Sequence, residues 1–204
     1  INGIRGMVEI ARHYVGNEAK QEECREKIMV ASGFLLELVN NVLDMNKLES
    51  GEVQLEAKTF CVRDLVEESA AMVEAQTAEK TLTLRRDIRC DRSDRVIGSP
   101  LHVRQVLQNL LGNAVKFTEK GSVTLRVTRA ESQAPEGRCA LSFQVIDTGR
   151  GIPTDEQERI FESFEQGSGV RDSGDQHETG VGLGLAIARN IARRFGGDLT
   201  LSSA

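Results

Sequence analysis

The chain has 204 residues, of which 39% are hydrophobic, 28% charged and 4% aromatic, with one Tyr and no Trp. That is apolar material enough for one large or two small domains with a buried core, and it excludes a disordered or collagen-like chain. Twenty-six Lys and Arg against 31 Asp and Glu leave a net charge of −5, which argues against a nucleic-acid binder acting through bulk electrostatics. No uninterrupted apolar run approaches the ~18 residues of a membrane span, and no signal-peptide pattern opens the chain. Cys24, Cys61, Cys90 and Cys139 are scattered without a Cys-x-x-Cys pair. They fit small buried side chains in a reduced compartment better than a disulfide frame or a zinc site. A soluble, cytoplasmic polypeptide is expected.

The first fifty residues read as two helices. Ile1, Ile4, Val8, Ala11 and Val15 are spaced 3-4-3-4, and Gly16-Asn17 is a stop signal. Cys24, Ile28, Ala31, Leu35, Leu38, Val42 and Met45 then run as a heptad seam that ends at Ser50-Gly51. One helical hairpin of this size cannot bury two apolar faces alone, so pairing with a second copy in a four-helix bundle is expected. The alternative is a packing helix of one globular domain.

Residues 52–60 are polar and extended, as a linker would be. Beyond them the pattern is α+β. A helix fits Val62–Ala78, and strands fit Leu82–Ile88, Val123–Val127 and Leu141–Val145, the last two joined by a turn at Pro135-Glu136-Gly137. Pro100–Phe117 and Leu183–Phe195 read as helices, and Thr154-x-x-Gln157 as the capping-box start of a short one through Phe161. From Phe164 to Gly180 the chain is rich in Gly, Ser and Asp without periodicity, a length of loop that is usually functional or disordered. Ile1 falls inside a helical pattern without a preceding cap, and a strand-like pattern starts at Leu199. A piece of a longer protein is therefore expected.

Three segments carry chemistry. On Pro100–Phe117 the apolar residues Val103, Val106, Leu107, Leu110, Ala114 and Phe117 form one face, and Gln105, Asn109, Gly112, Asn113 and Lys116 the other. Asn is a mediocre helix former, so two of them in mid-helix cost stability unless their amides are used. Asn oxygens beside a Lys suit Mg²⁺ and the phosphates it neutralises; a solvated polar face is the alternative. Asp147-Thr148-Gly149-Arg150-Gly151-Ile152 follows an alternating strand. A strand-end Asp can accept from an amino group such as the adenine N6, and the glycines let the backbone pass close to a planar base. Gly180-Val181-Gly182-Leu183-Gly184-Leu185 opens the final helix, where backbone N–H groups can meet phosphate. A dinucleotide-binding reading fails there, because no βαβ unit precedes the glycines.

Each signal is weak alone, but the three occur in one order, with Phe161-Glu162-Ser163-Phe164 between the last two. Over residues 60–204 the chain resembles the catalytic ATP-binding domain of two-component sensor histidine kinases, within the wider Bergerat-fold (GHKL) ATPases. Residues 108–118 look like that family's N box, Asp147–Ile152 its G1 box, Phe161–Phe164 its F box and Gly180–Leu185 its G2 box. Ile1-Asn2-Gly3-Ile4 and Leu43–Gly51 resemble its dimerisation and histidine-phosphotransfer hairpin, in the hybrid-kinase style. The resemblance implies an α+β chain. Residues 1–51 would form an antiparallel hairpin in a dimeric four-helix bundle, 52–60 a linker, and 61–204 an α/β sandwich ATP-binding domain. It implies ATP and Mg²⁺ as cofactors, with Asn113 on the metal, Asn109 beside it and Lys116 on the phosphates. Asp147 would read the adenine amino group. Gly149 and Gly151 would shape the base pocket and Gly180, Gly182 and Gly184 the phosphate side, with Ile152, Phe164 and Leu183 also in the ATP-binding set. Residues 165–179 would be the ATP lid, with Arg171 reaching the γ-phosphate. Implied partners are a second copy through residues 1–50 and a receiver domain, with no nucleic acid. Any membrane contact would come through segments outside this chain, on a cytoplasmic portion of an inner-membrane protein.

Two departures stand out. The G2 run usually begins Gly-Gly-Thr and here reads Thr179-Gly180-Val181. The family's phosphoacceptor His lies just before the segment that Ile1 begins, and His13, His102 and His177 do not replace it. Two other readings remain open. A gyrase-, chaperone- or mismatch-repair-type ATPase would need a general-base Glu in the N box, where Gln108, Asn109 and Asn113 stand. A signalling module that binds nucleotide or heterodimerises without turnover would keep the same binding residues.

Overall fold

The structure is a computed structural model and describes residues 2–50, 55–130, 138–162 and 182–203. Helix α1 (Asn2–His13) and helix α2 (Glu18–Glu49) form where the 3-4 spacing puts them. The chain turns between them at Gly16 (φ +89°), and the Asn17 side chain accepts from the Lys20 N–H at 3.1 Å, capping α2. Val15 lies beyond the end of α1, which stops earlier than the spacing suggests. Every expected seam position from Cys24 to Met45 is buried or half-buried. The α1 helix packs on α2, but the last part of the seam has another partner within the same chain: Leu38, Val42, Met45 and Leu48 pack against Leu183, Ile187 and Ile191. By length and composition a stretch of α2 is also apolar enough to cross a membrane, which counting uninterrupted runs passed over.

Five segments depart from expectation. Strand β1 (Lys58–Cys61) takes in the end of the expected 52–60 linker, and it pairs antiparallel with strand β3 (Arg95–Gly98), itself too short to show a period. The helix expected over Val62–Ala78 is two, α3 (Val62–Ala71) and α4 (Glu74–Glu79). A tightened bond from Val73 N–H to Ala70 O (3.2 Å) breaks it, and both Val73 and Thr77 end in the core. The helix expected from Thr154 shrinks to a 3-10 turn at Arg159–Phe161, and the segment from Leu199 to Ser203 forms no strand. The turn at Pro135–Gly137 lies outside the described residues.

The remaining elements are strand β2 (Thr83–Arg89), helix α5 (Pro100–Phe117), strands β4 (Ser122–Ala130) and β5 (Ala140–Asp147), and helix α6 (Gly184–Arg194). The sheet order is β2-β4-β5, with β2 parallel and β5 antiparallel to β4. Register places Leu84, Ile88, Val123, Leu125, Val127, Phe143 and Val145 on one face. Against that face lie Val62, Leu65, Val66 and Ala70 of α3 and Leu107, Leu111, Ala114 and Val115 of α5. Each fully buried Leu or Val contributes roughly 1.5–3 kcal/mol. The sheet thus carries α5 on its back, and α6 packs on α5 in turn. This layering sets the end of β5 beside the end of α5, and the start of α6 beside Asn109 in the middle of α5.

Candidate functional site

Helix α5 is tied down chiefly at its C-terminal end. Ser99 is its N-cap residue and Pro100 occupies its first turn, where the missing N–H costs nothing. At the other end the Lys80 ammonium donates to the carbonyls of Val115 (3.1 Å) and Lys116 (2.9 Å), and Thr118 Oγ1 donates to Ala114 O at 2.6 Å. These bonds satisfy carbonyls that a helix end leaves unpaired, with a cation where the dipole favours one. The apolar side of α5 is sealed in the core, so Gln105, Asn109, Asn113 and Lys116 keep a fixed direction. All four are half-buried. The face is not merely solvated: Gln105 Nε2 donates to Asp44 Oδ2 of α2 at 2.7 Å, and Asn109 lies against the start of α6. A methyl group at Gly184 would stand 3.4 Å from Asn109 Oδ1.

Strand β5 delivers Asp147 opposite Val123, and the chain then turns sharply. Asp147 Oδ1 accepts from the Gly149 N–H at 2.9 Å, while Thr148 Oγ1 accepts from the Ser122 N–H at 3.0 Å. The exposed Asp147 therefore has a set orientation, and among the described residues its Oδ2 has no hydrogen-bond partner. Gly149 has no substitute here. A Cβ would come 2.5 Å from Phe117 O and 2.8 Å from Asp147 Oδ1. Positive φ values at Gly151 (+70°) and Gly182 (+73°) turn the backbone at both ends of the site. The loop is tied down at Ile152, whose N–H donates to Ser203 Oγ (2.8 Å) and whose carbonyl accepts from Gln157 Nε2 (2.9 Å).

Between the ends of α5 and β5 opens a pocket of about 290 Å³, lined by Lys116, Phe117, Glu119, Lys120, Thr148, Gly149 and Arg150. Three cations and one carboxylate surround an aromatic ring in a chain whose net charge is −5. Lys116 Nζ and Arg150 Cζ each lie 5.0 Å from the centre of the Phe117 ring. Such a pocket suits a ligand that is both flat and anionic. Among the described residues no group of three or more His, Cys, Asp or Glu stands together for a metal. A divalent cation would rest on amide oxygens of Asn and on oxygens of its own ligand, a donor set that fits Mg²⁺.

The structure thus brings Asn109, Gly184 and Leu183 together on one side and Asp147, Gly149, Gly151 and Lys116 on the other, with Asn113 on the intervening helix. Phe164, Arg171, Gly180 and the rest of 165–179 lie outside the described residues. Leu183 is fully buried under α2, so its part is packing, with no direct reach to a ligand. Sequence reasoning missed the Phe117 ring, Arg150, Lys80 and Ser203. Phe117 fits the apolar stripe of α5 and gave no separate signal; Arg150 stands in full view inside the Gly-rich turn.

Residues 98–204 match the family described as histidine kinase-, DNA gyrase B-, and HSP90-like ATPase. The chain is 38% identical over 98% of its length to the sensory/regulatory protein RpfC of Xanthomonas campestris, spanning 27% of that protein. It is 38% identical over 83% of its length to the signal transduction histidine-protein kinase BarA of Escherichia coli, spanning 18% of it. With the aerobic respiration control sensor protein ArcB of the same organism it shares 34% over 98%, or 25% of that protein. Among solved structures, full-length ShkA in complex with AMPPNP aligns with a TM-score of 0.69 at 29% identity, covering 96% of this chain and 38% of that one. The Acinetobacter baumannii histidine kinase AdeS shares the fold, with a TM-score of 0.66 at 19% identity over 93% of this chain and 81% of that one.

Proposed function

The chain belongs to the histidine kinase-, DNA gyrase B-, and HSP90-like ATPase family, and from that premise we propose that it is the ATP-binding part of a sensor histidine kinase. On this reading it binds Mg-ATP and presents the γ-phosphate to a histidine, for onward transfer to a receiver aspartate. The observation that supports it most is that α5 meets the start of α6 at Asn109 and the Asp147–Gly149 turn at Phe117. The histidine-kinase branch is favoured because the likeness to RpfC, ArcB and ShkA runs through α1 and α2 as well as the ATPase part. Residues 1–51 then serve as the dimerising hairpin and 61–204 as the catalytic domain.

This chain's own residues divide the work by chemistry. Asp147 Oδ2 accepts from the amino group of adenine, and Gly149 lets the base approach the backbone. Gly151 and Gly182 shape the two turns, and Lys116 faces the phosphates. Asn113 and Asn109 offer amide oxygens to Mg²⁺, which when bound supplies charge neutralisation on the phosphates. Catalysis by such a site is chiefly positioning and electrostatics. A titration of ATP with and without Mg²⁺ tests the assignment. Asn113→Ala is expected to lose the Mg-dependent part of binding while keeping its fold. Equal Mg-dependent affinity in the variant would overturn the metal role, and absence of ATP binding in the unaltered chain would overturn the function.

A further inference from the structure

Resting on the nucleotide reading and deepening it, we infer that Arg150 is a binding residue for the phosphate-bearing side of the nucleotide. Nothing in the resemblance gives a role to the third residue of the run Thr148-Gly149-Arg150-Gly151 beyond spacing two glycines. The structure gives it a position. Gly149 is pressed between Phe117 O and Asp147, and Gly151 turns at φ +70°. The residue between them is thereby thrown out over the end of α5, where its guanidinium sits 5.0 Å from the Phe117 ring centre. It lines the pocket together with Lys116 and Lys120, and Glu119 is the single carboxylate of that lining. A net positive concavity of this kind attracts an anion, and Arg offers a planar fork that matches phosphate oxygens.

Arg150 makes no ion pair with a carboxylate among the described residues, and its guanidinium rests on the Phe117 ring. The ring therefore holds the guanidinium near the pocket mouth while leaving its N–H groups to a ligand. Less side-chain freedom remains to be lost on binding. The base is left to Asp147 on the other side of Gly149, so Arg150 acts on the anionic part of the ligand and not on the base.

Calorimetric titration of the 204-residue chain with Mg-ATP, and with adenosine by competition, separates these parts. Arg150→Gln and Arg150→Met are both used, since Met keeps an apolar stem over the ring. Each is expected to weaken ATP about tenfold, the effect of losing one charge-assisted contact, and to leave adenosine within about twofold. Unchanged melting would accompany this, because the Arg150 side chain is exposed. ATP affinity equal to the unaltered chain in both variants would overturn the inference, as would an equal loss for adenosine and ATP. An unaltered chain that binds no ATP would instead sink the nucleotide reading itself.

Discussion

Single charged residues show how the ends of this site are braced. Asp198, just past α6, accepts from Arg189 Nε (3.1 Å) and from Arg193 Nε (3.3 Å), and also from the Leu199 N–H (2.8 Å). The Arg189 bond, then the Leu199 N–H, with Arg193 adding to them, holds the Asp198 carboxyl down to about 2 from an ordinary value of 3.8. Arg189 also lies 4.7 Å from the Phe161 ring centre, so the same guanidinium ties α6 to the 3-10 turn. A carboxyl whose folded value is depressed stabilises the fold above its unfolded value, and that contribution fades as pH falls from near 3.8 toward about 2. Because the group is exposed, solvent screening keeps the contribution small. Carboxyl titration by NMR should find Asp198 with its midpoint near 2, and Arg189→Gln should move it up toward the ordinary value. A midpoint unmoved by Arg189→Gln would show that the ion pair does not form.

Among the secondary-structure elements, α4 ends in a way that offers a clear test. Thr81 has φ +56°, the one non-glycine residue with positive φ among the described residues, and Leu82 N–H reaches back to Thr77 O at 2.8 Å. This is the left-handed helix stop that glycine makes without strain, here carried by an exposed β-branched residue. Thr81→Gly should stabilise the chain by about 1 kcal/mol, the strain released less the added freedom of the unfolded chain. A lower denaturant midpoint in Thr81→Gly would refute it. Thr81 also illustrates what was legible beforehand. Period and caps were enough for α2, α5, β2, β4 and β5, because each has a long stripe facing one core. They failed where tertiary contacts decide. The β1 and β3 strands are four residues each and form only because they meet each other. The α3–α4 break is set by burial of Val73 and Thr77, and no glycine or proline marks it. The candidate site showed in the sequence as motifs, through Asn109, Asp147 and the glycines. The Phe117 ring did not, since Phe117 completes an apolar stripe and lines the pocket only once α5 ends beside β5.

For the molecule as a whole, the decisive feature is that α2 carries two apolar stripes. The first, from Cys24 to Met45, is used within the chain, and its last part holds α6. The second runs through Met29 (72% exposed), Leu36 (64%), Val39 (44%) and Leu43 (50%), at intervals of 7, 3 and 4. A row of large apolar side chains at heptad spacing, open to water over this length, is what a partner helix would cover. In the proposed kinase that partner would be a second copy, and a bundle would form through the second stripe because the first is occupied within the chain. Leu36→Glu and Leu38→Glu should then behave differently although they lie on the same helix. Leu36→Glu places charge only in the interface between copies, so light scattering at micromolar concentration should read a dimer for the unaltered chain and a monomer for the variant, with melting of the ATP-binding part retained. Leu38→Glu opens the contact with Leu183, Ile187 and Ile191 and leaves a charge against an apolar surface, which should cost about 2–5 kcal/mol of stability. An unaltered chain that scatters as a monomer, or a Leu36→Glu variant that remains a dimer, would move the interface elsewhere. Dissociation by Leu38→Glu without loss of stability would show that the first stripe, and not the second, faces the other copy.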